Sequence, residues 1–308
     1  MSKTPPPNNT RRFSAHSPLL LGGLSVALAA ILVITVAFIA NERALTLASG
    51  TTSAGSEQTQ AAEEPSARSS ALDSLVHDFV SEYPQSAVVI VDLGDASTAE
   101  ANGDVPFTSA SLYKLFVAYD VLSEVDAGEY TLDDWMPEVE TTIGDCLDVM
   151  ITYSDNDCGA ALGTMVDWAT LDQRLANEGY SQTILNNYDE FFDLDGDKIT
   201  TANDVTLLLS RLVAGELLSP QSSELFLTLL SEQTLNYALP TGLDDSLSFA
   251  HKTGLLDEVS HDAGIVSAPA GTFIVVLLTD GWDDAADESP ALFTEFGERF
   301  SALIRDWA

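Results

Sequence analysis

The sequence predicts a mixed α/β domain whose sheet is interrupted by an inserted helical subdomain. Three observations carry this. Two short strand-like runs lie close to residue 90, a mostly helical stretch fills about 124 to 235, and three more strand-like runs precede a final helical stripe. Such a layout leaves a groove where its two parts meet, and clefts between subdomains are common binding places.

The elements follow in order. Leu72, Leu75, Val76, Phe79, Val80 and Tyr83 recur at helical spacing, and Pro84 closes that helix. Ala87 to Asp92 is a β-branched run bounded by Leu93-Gly94-Asp95 and reads as a buried strand. A second strand is expected over Thr98 to Asn102. Ser111 then opens a helix that places Leu115, Phe116, Tyr119 and Leu122 on one face. In the helical block, Ile143, Cys146, Leu147 and Met150 form a stripe. Thr201 to Asp204 reads as a cap before Val205, Leu208, Leu209 and Leu212, and Ser219-Pro220 starts another helix. Strands are expected at Ser248 to Thr253, Gly264 to Ser267 and Thr272 to Thr279, with Ala268 to Gly271 as a hairpin turn. Leu292, Phe296, Phe300, Leu303 and Trp307 stripe the last helix.

Ahead of this domain, placed at 71–308, Leu19 through Ala40 is apolar and uncharged. A helix of that length spans about 30 Å of hydrocarbon. Lys3, Arg11 and Arg12 precede it, so the expected arrangement is a cytoplasmic tail (1–18), a single-pass anchor in the cell membrane (19–40), a flexible stalk (41–70) and an extracytoplasmic domain. A cleaved signal peptide is the rival, although the run is longer than usual for one and no A-x-A-like site follows.

Composition excludes several function classes. The formal net charge is −36. That argues against nucleic acid, whose binding needs Lys and Arg, and against docking on anionic lipid. Four His residues show no HxH or HExxH spacing, so neither metal nor cofactor is expected. Cys146 and Cys158 fall on the outer side of the expected membrane, where a disulfide persists; two buried free thiols are the alternative.

Three motifs carry chemistry: Ser111-x-x-Lys114, Ser154-Asp155-Asn156 and Lys252-Thr253-Gly254. A serine hydroxyl is a poor nucleophile until a base takes its proton. Spacing of three puts Lys114 one helical turn from Ser111. Enclosed near Lys252, Lys114 loses its preference for the ammonium form and can be that base. Ser154-Asp-Asn alone is an ordinary helix cap, and its weight comes from its company. Lys252 within an apolar strand is costly unless it faces a polar groove, where Lys252 and Thr253 suit a carboxylate. Gly254 lets substrate backbone lie against the strand edge.

Together these motifs resemble the penicillin-recognising serine enzymes, nearest to class A β-lactamases. The resemblance covers about 80 to 308 and includes Phe107-Thr-Ser-Ala-Ser111, Thr200-Thr201-x-x-Asp204 and His261-Asp-Ala-Gly-Ile-Val266. It implies an α/β (α+β) sandwich: a five-stranded antiparallel sheet with terminal helices on one face and an all-helical subdomain on the other. It also implies acylation of Ser111, Lys114 as base and Ser154 as proton shuttle. Asn156, Lys252 and Thr253 would hold substrate, with the N–H groups of Ser111 and Leu255 as oxyanion hole. The expected unit is a monomer acting on a β-lactam or a cell-wall peptide.

Departures from the family concern deacylation. Class A β-lactamases carry a Glu-x-x-Leu-Asn stretch ahead of the paired threonines, and no such string occurs between Tyr180 and Thr200. Glu190, or its neighbour Asp189, lies in that stretch; Asn186 cannot be a base. The strand after Lys252-Thr253-Gly254 also has no Arg beside His261-Asp262, so one usual clamp on the substrate carboxylate is missing. A D-alanyl peptidase, or a binding protein that stays acylated, therefore remains beside β-lactam hydrolysis. Asp193 to Asp204 resembles a calcium loop with its glycine displaced and Asp in place of the last Glu, and reads as an acidic turn before a capped helix.

Overall fold

A computed structural model describes residues 66–186 and 198–307, together with the backbone of 188–189 and 194–195. Its sheet has five antiparallel strands. In chain order they are β1 (Ser86–Asp92), β2 (Ser97–Ala101), β3 (Ser248–Leu255), β4 (Ser260–Ala268) and β5 (Gly271–Thr279), arranged β2-β1-β5-β4-β3. The first two strands precede the helical block and the last three follow it, so residues far apart in sequence pair directly: Ser86 lies opposite Thr279.

Both faces of this sheet are covered, which is why its central strands are almost wholly apolar. On β5, Ile274, Val276 and Leu278 join the core beneath the helical subdomain, while Phe273, Val275 and Leu277 face the terminal helices. Those helices are α1 (Ala67–Glu82) and α8 (Pro290–Arg305), which supply Phe79, Phe296 and Phe300. Between the strands run α2 (Tyr113–Ala127), α3 (Ile143–Thr152), α4 (Asn156–Val166), α5 (Trp168–Asn177), α6 (Ala202–Ala214) and α7 (Pro220–Ser231). Local chemistry sets their ends. Thr201 Oγ1 caps α6 by accepting from Asp204 N at 3.1 Å, and Ser219 caps α7 ahead of Pro220; each such cap is worth about 1 kcal/mol.

Three expectations are corrected. Ser111 does not open the α-helix: it sits in a 3-10 turn, Ala110–Leu112, and α2 begins at Tyr113. The preceding Phe107–Thr108 pairs with Ile199–Thr200 and Ser109 N–H donates to Lys198 O at 2.7 Å, which keeps the chain extended up to the turn. The second strand ends at Ala101, because Asn102 adopts a left-handed backbone at φ 58°. The third correction concerns the membrane. Among the described residues no helix is long and apolar enough to cross one, and 19–40 lies outside those residues. The single-pass placement in a cell membrane, which rested on the apolar run and the charges before it, is accordingly withdrawn.

Candidate active site

The first two motifs, drawn from the Ala110–Leu112 turn with α2 and from the α3–α4 junction, meet around one ammonium group, and the third lies on β3 beside the turn. Lys114 is fully buried. Its Nζ donates to Ser111 Oγ at 3.2 Å, Ser154 Oγ at 3.2 Å, the Ser154 carbonyl at 2.6 Å and Asn156 Oδ1 at 2.7 Å. Burial pulls its pKa down to about 8, against a smaller opposing pull from the Asp155 carboxylate. A lysine so placed is partly unprotonated near neutral pH and can accept the Ser111 proton.

The α3–α4 junction is shaped by its own side chains. Ser154 takes a left-handed backbone at φ 60°. Asp155 Oδ1 caps α4 by accepting from Cys158 N at 2.8 Å, so Asp155 serves the helix while its neighbours face Lys114. Asn156 belongs to the first turn of α4. Cys146 on α3 and Cys158 on α4 form a disulfide across this junction. Gly159 lets α4 come close: a Cβ there would stand 2.5 Å from the Tyr113 hydroxyl and 2.9 Å from Lys114 Cε.

Edge strand β3 closes the other side. A Cβ on Gly254 would lie 3.2 Å from both Ala110 Cβ and Ser109 O, so this strand runs directly against the nucleophile turn, with Leu255 at its end. Lys252 is fully buried, and its Nζ donates to Thr253 O at 2.9 Å. Burial first, then the charge of Lys114, lower its pKa to about 7, with Asp262 acting in the opposite sense. Two like charges enclosed together disfavour one another's protonation.

Several supporting residues carry no role in the sequence reading, where His261 appears only as part of the resemblance. His261 Nε2 donates to Thr108 O at 2.7 Å while Nδ1 accepts from Thr279 N at 3.2 Å, so the ring is a neutral strut between sheet and nucleophile segment. Burial drives its pKa down to about 4. Lys198 packs its ammonium over Trp168, 4.4 Å from the ring centroid, and that ring meets Tyr113 edge-on. Among the predicted residues, Glu190 lies outside the described ones. So do 193, 196 and 197 of the 193–204 loop. A broad groove of about 1460 Å³ between 130–141 and α4 includes Asp155 but neither Ser111 nor either lysine, so it is separate from this chemistry.

The model of the beta-lactamase enzyme family matches residues 69–302. The chain belongs to that family. Its fold is that of the class A β-lactamases and their transpeptidase relatives. PBP-A, solved as a mutant acyl-enzyme complex with penicillin G, is 23% identical with a TM-score of 0.68 over 77% of this chain and 97% of that one. A β-lactamase from Sphaerobacter thermophilus is also 23% identical, with a TM-score of 0.64 over 75% of this chain and 95% of that one. An ancestral class A β-lactamase is 20% identical, with a TM-score of 0.65 over 75% and 99%. No curated protein sequence matches the chain.

Proposed function

We propose that this family member is a serine hydrolase that opens β-lactams through an acyl-enzyme on Ser111. The family supplies the substrate class. The observation that carries the mechanism is the buried Lys114 ammonium, 3.2 Å from Ser111 Oγ and lowered to about 8. In this reading unprotonated Lys114 takes the hydroxyl proton as Oγ attacks the lactam carbonyl. A C–O bond forms, and collapse of the tetrahedral intermediate breaks the C–N bond. Ser154 Oγ, 3.2 Å from Lys114 Nζ, relays the proton to the leaving nitrogen. The N–H groups of Ser111 and Leu255 hold the oxyanion, and Asn156, Lys252, Thr253 and Gly254 hold the substrate. Water then cleaves the ester, with Glu190 as the base assigned to that step.

One feature of the sequence favours slower release: no Glu-x-x-Leu-Asn string stands between Tyr180 and Thr200. That suits a D-alanyl peptidase on cell-wall peptides, or a protein that stays acylated. An intact-mass time course of the purified chain with benzylpenicillin separates the readings. An adduct that forms and clears within minutes supports β-lactam hydrolysis; a lasting one supports the second reading. An adduct that also forms on Ser111→Ala overturns the mechanism.

A further inference from the structure

Strand β3 carries Lys252 at the outer edge of the sheet and pairs on one side only, with β4. That pairing fixes it to the sheet but not to the Ser154 junction. The segment from Gln233 to Leu239 makes the second connection. It leaves α7, whose Phe226, Leu229 and Leu230 pack in the core beneath the helical subdomain, and reaches Ala238 and Leu239, which pack with the terminal helices. The segment is therefore a strap that passes from one face of the sheet to the other. At its start, Gln233 Nε2 donates to Ile151 O at 2.8 Å, and Thr234 donates to Thr152 O from its N–H at 3.0 Å and from its hydroxyl at 2.8 Å. Those carbonyls belong to the last turn of α3, where a helix leaves its acceptors without intrahelical partners. Ser154 follows two residues beyond that helix.

The far end of the strap meets a buried pair. His251, next to Lys252 on β3, and Asp262 on β4 are both closed off from solvent. His251 Nδ1 lies 2.7 Å from Asp262 Oδ1, and the Leu239 N–H donates to Asp262 Oδ2 at 3.0 Å. A buried carboxylate is costly unless its oxygens are paired, so both contacts resist being opened. The other ring nitrogen, Nε2, lies 3.0 Å from Asn236 Oδ1, midway along the strap. The ring also stacks on Phe249, with centroids 4.5 Å apart, which fixes its plane. The reaction as proposed above gives this histidine no part.

We propose that His251 is a positioning residue: through Asn236 it ties β3 to the strap that holds the end of α3, and so sets where the Ser154 hydroxyl stands relative to that strand. This rests on the acyl-enzyme reading above. Held in this way, the proton shuttle on the α3–α4 junction and the groups on β3 move as one body, although they come from opposite sides of the groove.

The test reads the acylation rate constant at saturating benzylpenicillin, by intact mass on the whole chain. Asn236 is exposed, so Asn236→Ala cuts the link without opening the core. It should slow acylation about two- to tenfold, the worth of one hydrogen bond. Asn236→Asp keeps an oxygen toward Nε2 and should restore the parent rate. Thr234→Val removes the hydroxyl at the other end of the strap and should slow acylation alike, which keeps the test open should one variant fold poorly. Each loss should vanish in a Ser154→Ala background, because the place of a hydroxyl no longer matters once it is gone. A loss by the same factor in both backgrounds overturns the proposal. So does a loss that Asn236→Asp leaves unrepaired, or parent rates in both Asn236→Ala and Thr234→Val. A parent chain that benzylpenicillin does not acylate removes the acyl-enzyme reading and this proposal together; normal acylation with any of those three results removes this proposal alone.

Discussion

Lys114 Nζ lies 2.6 Å from the carbonyl oxygen of Ser154, a residue whose backbone is left-handed at φ 60°. The short hydrogen bond and the unfavourable backbone belong together. For an L-residue that conformation costs roughly 1–2 kcal/mol, which the ammonium contact and the Asp155 cap offset. Ser154→Ala and Ser154→Gly both remove the hydroxyl proposed as proton shuttle, so acylation should fall by about 10²–10⁴-fold in each. Their stabilities should differ: the glycine variant should exceed the alanine variant by about 1 kcal/mol. Equal midpoints in urea would show that the left-handed residue stores no strain.

The two buried lysines make opposite demands on pH. On the proposed mechanism Lys252 should hold an anion best below about 7, whereas Lys114 should act as base increasingly above about 8. KM for benzylpenicillin should therefore rise with pH while the acylation step itself accelerates. A KM that stays flat from pH 6 to 9 would deny Lys252 its place at the carboxylate.

Stability follows from the same shifts. Both folded values lie below the ordinary lysine value of 10.5, so from about pH 7 upward the unfolded chain binds more protons than the folded one. These groups thus contribute a destabilisation that is full below about pH 7 and is relieved as pH rises toward 10. Lys252→Met should flatten that slope, measured by urea unfolding at pH 7, 8 and 9.

The disulfide between Cys146 and Cys158 encloses Ser154, Asp155 and Asn156. Closing a loop of this size stabilises a protein by about 3 kcal/mol. Replacing both cysteines with serine should cost about that much and should slow acylation, since α3 and α4 then carry the junction unaided. An unaltered acylation rate with a lowered melting temperature would limit the bridge to stability.

Gly159→Ala tests the approach of α4 to the base. Its new methyl group would crowd the Tyr113 hydroxyl and Lys114 Cε, both inside normal contact distance. Overpacking of this kind costs about 1–3 kcal/mol, and here the strain falls on the lysine stem. Acylation should drop more than tenfold, and a wild-type rate would show that α4 can move away freely.

The sequence by itself determined the order and nature of the elements. Strands buried on both faces must be apolar, and caps such as Thr201 and Ser219 announce their helices, so the sheet and the helical block could be read from local pattern. Ser111, Lys114, Ser154, Asn156 and Lys252 were legible as motif members because the chain has so few lysines that two in motifs stand out. Tertiary structure alone decided what their chemistry would be. Lys114 and Lys252 are 138 residues apart in number, and only the pairing of strands from both ends of the chain encloses them together and lowers both pKa values. Burial likewise made His261 a neutral strut, and the register of β3 against β4 put Asp262 opposite Thr253. Periodicity reports which face a side chain takes, but desolvation and Coulomb interaction depend on distance through space, and the fold sets that distance.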